Sequence, residues 1–409
     1  MRLTNYSVYD VNVNSLNQLQ VKLAHSQQQL STGRRIVTPA DDPAAMARSM
    51  EITQADSLNN QYAANRVAIT NTLSLTENAL SSATTLLQDI KTIAMTAGNT
   101  SISNADRQVK ATELQGRLTD LLALANSTDG AGSYLFSGFQ GGTVPFVMNG
   151  ASTSYLGDDG QRMIQVSSSR TMASNISGAD AFMRVKDGNG IFSVTPGAGN
   201  TGSSYSSMGA VINPAAMNGN SYQVQFTVAA GVTTYVVMDT TTATQVAPPL
   251  PAVSSPYVSG QAITFGGMQI NVTGSPANGD TYNVQPSQNT NVFSIISNFA
   301  TALANPVSTS NPASQAAFTQ SLNTALAGLD SALSSVLNVR TTVGARLSEV
   351  DILNSNGEAL GAQYKQAMSQ LIDLDYNKAI SDFSQQLTML QAAQKSFKSM
   401  MDMTLFNYM

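Results

Sequence analysis

Three stretches of heptad-spaced apolar residues, one in the first quarter of the chain and two near its end, constrain the fold more than any other feature. The first runs through Ile69, Leu73, Thr76, Leu80, Ala83, Leu87, Ile90, Ala94 and Ala97 in alternating steps of four and three. Leu322, Leu326, Leu329, Leu333, Val336, Arg340, Val343, Leu347 and Val350 repeat the pattern, and Tyr376, Ile380, Phe383, Leu387, Leu390, Gln394, Phe397 and Met401 repeat it again. A stripe this narrow needs a partner helix. Nothing else in the chain offers comparable helical surface, so the seams are expected to bury one another. Arg340 and Gln394 fall on them, where a polar side chain can fix register at a cost in stability; a solvated place at the bundle edge fits equally. A helix over 44–97 would extend roughly 80 Å, ordinary for a rod and long for a globule.

An earlier helix over 8–30 presents Leu16, Leu19, Leu23 and Leu30 on one face, with Gln, Asn and Ser elsewhere. Alone it is marginal, and both extreme termini are therefore expected to order on assembly. Between the helical ends, 22 of the 29 Gly lie from Gly130 to Gly279 and the apolar period shortens to two, as in 162–166, 222–228, 233–238 and 268–272. Asp158-Asp159-Gly160 reads as a hairpin turn, and Asp187-Gly188-Asn189-Gly190 and Asn278-Gly279-Asp280 as further turns. Pro248, Pro249, Pro251 and Pro256 either divide this region into two lobes or form an edge-strand loop. The fold class is α+β: a long coiled-coil-like helical rod made by the N- and C-terminal segments, with an antiparallel β domain inserted centrally. The expected parts are a terminal helix (1–40), rod helices (41–140), a β-rich surface domain (141–287), further rod helices (288–365) and a second terminal helix (366–409).

Charge and composition exclude several functions. Lys plus Arg number 20 against 25 Asp plus Glu, so no basic face for nucleic acid is expected. With no Cys, and His25 as the only imidazole, disulfides, thiolate zinc sites, cysteine nucleophiles and Ser-His triads are excluded; neither an enzyme nor a cofactor is expected. No apolar run approaches the roughly 20 residues of a membrane span, and MRLTNYSVYD lacks the apolar core of a cleaved signal. Asp41 and Asp42 read as helix-start chemistry before catalytic carboxylates. The run 187–190 lacks a calcium loop's closing Glu, since Ala198 stands there. His25, among Lys22, Gln27 and Gln28, reads as a solvated imidazole without a partner. Met389, Met400, Met401, Met403 and Met409 fit an adaptable partner surface or ordinary packing equally.

Residues 30–50, LSTGRRIVTPADDPAAMARSM, encode a helix joint. Gly33 suits a left-handed closure of the first helix, with Arg34 and Arg35 near that helix's negative end. Asp42 is a good N-cap and Pro43 a good first helical residue, and Asp41 adds negative charge. This stretch resembles the N-terminal signature of the bacterial flagellin family; Asp373, Asp375-Tyr376 and DFSQQLTMLQAAQKSFKSM are similar to the family's C-terminal helix. GSYLFSGFQGGTVPF (132–146) and the terminal LFNYM resemble the branch that joins hook to filament.

The resemblance implies a structural subunit secreted through the flagellar type III system without signal cleavage and located in the extracellular flagellum. An export chaperone would hold the C-terminal helix. Neighbouring copies would form a ring, with the first hook-associated protein on the hook side and flagellin on the filament side; neither nucleic acid nor membrane insertion is implied. The expected assembly interface is Leu16, Leu19, Leu23, Leu30, Ile380, Phe383, Leu387, Leu390, Phe397 and Met401, and the helix-joint motif is Gly33, Arg35, Asp41, Asp42 and Pro43. Alternatives are a flagellin or flagellin-like filament subunit, and an adhesin using the Tyr and Phe of the β region.

Overall fold

The computed structural model describes residues 5–406 apart from 100–101, 151, 250, 252 and 309; the side chains of 5–8 and 402–406 are not described. Met403, Met409 and the side chains of LFNYM fall outside that description. The fold is α+β, with long helices at both ends of the chain and antiparallel strands between them. Six α-helices are present among the described residues: α1 (Asn5–Thr32), α2 (Pro43–Ala97), α3 (Asn104–Ala125), α4 (Val292–Ala304), α5 (Pro312–Ile372) and α6 (Tyr376–Phe406). The chain divides into two compact units, one comprising Met1–Asn65 with Ile352–Met409 and the other Arg66–Asp351; α2 and α5 contribute to both. Among the described residues no helix is long and apolar enough to cross a membrane.

In the larger unit the first seam is sealed: each of its nine members from Ile69 to Ala97 is at most 1% exposed. On α5, Leu329, Val336, Val343 and Val350 are equally buried, but the alternate positions are Ala325, Ala332 and Val339, one residue before the expected Leu326, Leu333 and Arg340. Leu326, Leu333 and Leu347 flank the seam half-buried. Apolarity alone favours leucine, whereas close packing of two helices favours the small residue at the contact. Arg340 is half-buried beside the seam, donating to Glu77 at 2.6 and 2.9 Å. Together with the Lys91–Asp330 ion pair, it aligns α5 antiparallel to α2.

Helix α3 begins with a capping box between Ser103 and Asp106. At its end the Asn126 amide grips the Phe146 backbone, donating to its carbonyl and accepting from its N–H, both at 2.9 Å. Helix α4 is capped by Asn291 and buries Val292, Phe293, Ile296, Phe299, Ala300 and Leu303. The first β segment consists of two hairpins, β1 (Phe146–Asn149) with β2 (Ser152–Tyr155) and β3 (Met163–Ser167) with β4 (Arg170–Ala173). The segment 132–146 supplies Phe136 and Phe146 to an aromatic cluster with Phe182 and Phe293, the ring centroids 5.3–6.0 Å apart.

The remaining strands are β5 (Val185–Lys186), β6 (Phe192–Pro196), β7 (Tyr205–Ser206), β8 (Ala210–Val211), β9 (Tyr222–Ala229), β10 (Val232–Asp239), β11 (Thr244–Ala247), β12 (Ser255–Pro256), β13 (Ala262–Phe265), β14 (Met268–Thr273), β15 (Thr281–Pro286) and β16 (Asn289–Thr290). Strand β5 pairs with β16. One sheet has the order β11-β10-β9-β15-β6, with β12 also on β10; the other has β13-β14-β7, with β8 also on β14. Their inner faces share one core, in which Phe192, Tyr222, Val224, Phe226 and Val237 meet Ile263, Phe265, Ile270 and Val272.

The prolines do not divide this core, because β11 and β12, on either side of the run, both pair with the outer edge of β10. Asp158–Gly160 is not a hairpin turn: it links β2 to β3, which belong to different hairpins, and Asp158 Oδ1 accepts from Phe139 N and Gly160 N, each at 2.8 Å. The turn at 187–190 likewise joins strands of different sheets. Leu329→Ala is expected to cost about 2–5 kcal/mol in denaturant unfolding of the full chain. Leu337→Ala, at 45% exposure, should stay within about 0.5 kcal/mol.

Candidate functional site

The smaller unit contains two helix joints sewn together by backbone hydrogen bonds. Gly33 closes α1 by donating to Gln29 O at 2.9 Å, in the left-handed conformation (φ 67°) that glycine adopts without a Cβ clash. The chain then meets the joint between α5 and α6. Arg35 N donates to Ile372 O at 2.7 Å, Leu374 N donates to Gly33 O at 3.0 Å, and Arg34 forms an isolated antiparallel bridge with Asp373. The Arg35 guanidinium donates to Leu371 O at 2.7 Å. Its charge therefore sits at the negative end of α5, not α1 as expected, because the sequence gives no sign of which helix end lies opposite. Ile36, 3% exposed, anchors the loop; sequence reasoning passed over it.

The two aspartates have separate tasks. Asp42 Oδ1 accepts from Ala45 N at 3.0 Å, capping α2 ahead of Pro43. Asp41 Oδ2 accepts from Val37 N at 2.9 Å and Thr38 N at 2.8 Å, and its Oδ1 lies 3.0 Å from His25 Nε2. His25 thus has the partner that the sequence did not reveal. The Thr38 backbone N–H is the main cause of a lowered Asp41 pKa, about 2 against the usual 3.8; partial desolvation opposes it, while Val37 and His25 add to it. Asp375 caps α6 by accepting from Asn377 N and Lys378 N, a start signal legible in the sequence as an Asp before a helical run.

Beyond the joints, α1 and α6 run antiparallel. Tyr9 and Phe397 rings lie 5.5 Å apart, and Ser26 Oγ donates to Gln386 Oε1 at 3.0 Å. Leu16, Leu19, Leu23 and Leu30 all fall on the half-buried face of α1. On α6 the expected seam divides in two. Phe383, Leu390 and Phe397 lie on the packed face with Ala379, Gln386 and Ala393, whereas Ile380, Leu387 and Met401 are 56%, 38% and 41% exposed, and Gln394 is exposed with them. The alternate heptad position is again one residue earlier than apolarity suggested. Leu390, at 8%, is the only one of the ten expected interface residues that is buried. On α1, Val11 and Val21 are 67% and 69% exposed. A cleft of about 570 Å³ opens between the helices near the joint, lined by Lys22, His25, Asp41, Lys378, Asp382 and Gln386 among others.

Long paired terminal helices with apolar residues exposed on both, and a β region inserted between them in the sequence, make up the architecture of a structural subunit. Residues 4–141 match the bacterial flagellin N-terminal helical region. Flagellar hook-associated protein 3 of Salmonella typhimurium is 28% identical over 406 residues, covering 99% of each chain. The crystal structure of flagellar hook associated protein-3 from Legionella pneumophila is 33% identical, with TM-score 0.75, over 79% of this chain and 98% of that one. That of FlgL from Xanthomonas campestris is 30% identical, with TM-score 0.70, over 78% of this chain and 99% of that one. The chain belongs to the flagellar hook-associated protein 3 family, the FlgL junction proteins.

Gly33→Ala should destabilise the joint by about 1–2 kcal/mol, because an alanine is held left-handed there. Gly116→Ala, inside α3 with no atom within 4 Å of the new Cβ, should instead stabilise the chain by about 0.4–1 kcal/mol in the same melts. The depressed Asp41 pKa means that its stabilisation is complete above pH 3.8 and is lost as the pH falls through about 2. Acid titration of amide exchange at Val37 and Thr38 should show that loss in the natural chain and not in Asp41→Asn.

Proposed function

We propose that the chain is the structural subunit that joins hook to filament in the bacterial flagellum, exported through the flagellar type III system and assembled outside the cell by coupled folding and helix packing. Copies form a ring, with the first hook-associated protein on the hook side and flagellin on the filament side, and a chaperone holds α6 before export. The role is structural and not enzymatic. The observation that carries the reading is the contrast within the chain: the seam at 69–97 is sealed, while α1 and α6 leave Ile380, Leu387, Met401, Val11 and Val21 in water. Burial gains about 25 cal/mol per Å² of apolar surface, against about 1–2 kcal/mol per residue for ordering the backbone. Two helices with one covered face each are poorly placed to meet that cost; neighbouring copies supply the missing surface. Family membership supports the junction reading over a filament subunit.

Removal of the last forty or so residues should abolish filament attachment while the β region keeps its native circular dichroism. A truncated protein that restores attachment would refute the proposal. Labelled protein on intact flagella should give a single band at the end of the hook in electron micrographs, and label along the filament would favour the filament-subunit alternative.

A further inference from the structure

The chain contains five Asn-Gly pairs: 149–150, 189–190, 218–219, 278–279 and 356–357. In such a pair the glycine nitrogen can attack the asparagine side-chain carbon, because no glycine Cβ blocks the approach. The new N–Cγ bond closes a five-membered imide as the Cγ–Nδ2 bond breaks. Nδ2 leaves as ammonia, taking the proton lost from the glycine N–H. Water then opens the ring at either carbonyl, giving aspartate or isoaspartate. The reaction needs only water, so its rate at each pair is set by how firmly the fold holds the two reacting groups.

Four pairs are held. Asn189 Oδ1 accepts from Ile191 N and Phe192 N at 3.0 and 2.9 Å, and Gly190 N donates to Asp187 O at 3.1 Å. Asn218 Oδ1 accepts from Tyr222 Oη at 2.7 Å and Asn220 N at 3.0 Å. Asn278 Oδ1 accepts from Val228 N at 3.0 Å, and Gly279 N is bound to Phe226 O at 2.9 Å. Asn356-Gly357 lies inside α5, where helical geometry directs each N–H along the axis, away from its neighbour's side chain.

Asn149-Gly150 differs in its hydrogen bonding, not in its exposure, which it shares with 218–219 and 278–279. Both residues are exposed at the β1–β2 turn, and among the described residues neither the Asn149 side chain nor Gly150 N has a hydrogen-bond partner. In addition, Ser152 Oγ donates to the Asn149 carbonyl oxygen at 3.2 Å. That bond draws electron density from the 149–150 peptide and makes its N–H more acidic, which favours attack. We infer that Asn149 is a site of spontaneous deamidation, the one Asn-Gly pair of the five that the fold leaves free to react. Each event adds a negative charge to the net −5 of the chain. The isoaspartate product also inserts a backbone methylene beside the Asn149–Ser152 pairing, loosening the hairpin that carries Phe146 into the aromatic cluster.

Peptide mass mapping of the full chain, aged in neutral buffer at growth temperature, tests the inference. The peptide containing Asn149 should gain one mass unit and split into aspartate and isoaspartate forms at least about tenfold faster than the other four, since each held pair must first break its hydrogen bonds. In denaturant the five rates should converge, and Ser152→Ala should slow Asn149 in the folded chain only. Equal rates at all five pairs in the folded protein, no conversion at Asn149, or faster conversion at any other pair would overturn it.

Discussion

A helix with a narrow apolar stripe must have that stripe covered, and the rest of this structure depends on how completely each stripe is met. In the larger unit α2 and α5 are tied by Glu77–Arg340 and Lys91–Asp330, and none of the nine seam residues from Ile69 to Ala97 is more than 1% exposed. That closed seam, with α3 and α4 beside it, is the base from which the strands leave and to which they return. In the smaller unit the same heptad logic is left incomplete. Helices α1 and α6 cover one side of each other, and a second row of apolar residues on α6 faces water. Incompleteness of this kind suits a part whose final neighbours are other molecules.

What keeps the incomplete pair aligned is mainly backbone chemistry at the joints. The last carbonyls of α5 would be left without donors at the helix end; Arg35 fills that need with its backbone N–H and its guanidinium. Asp41 orders the same loop by accepting two backbone N–H groups, and Asp42 and Asp375 start the next helices. Because the bonds of Gly33 and Arg35 with 371–374 join residues far apart in sequence, the first and last helices of the chain are held side by side without a sealed apolar core between them.

Much of this was legible in the sequence. Long helices have strong periodicity, so α2, α5 and α6 and the first seam follow directly from it, and Gly33, Asp42 and Pro43 carry local signals that need no tertiary information. The misses have a common cause. At positions 325, 332, 379 and 393 the packed residue is alanine; a reading that follows apolarity chooses the leucine or isoleucine one place later, and the heptad spacing then carries the same shift on to Gln394. The partners of Arg35 and His25 depend on which loop lies opposite. The edge role of the proline run and the non-hairpin role of 158–160 depend on sheet order, which local turn chemistry does not encode.

Amide hydrogen exchange on the isolated subunit and on the assembled junction tests the central claim most directly, because it reads each helix separately. The account requires α1 and α6 to exchange quickly in the free subunit and to gain strong protection on assembly, while 69–97 and 325–350 are protected in both states. Strong and equal protection of α1 and α6 in the free subunit would contradict it.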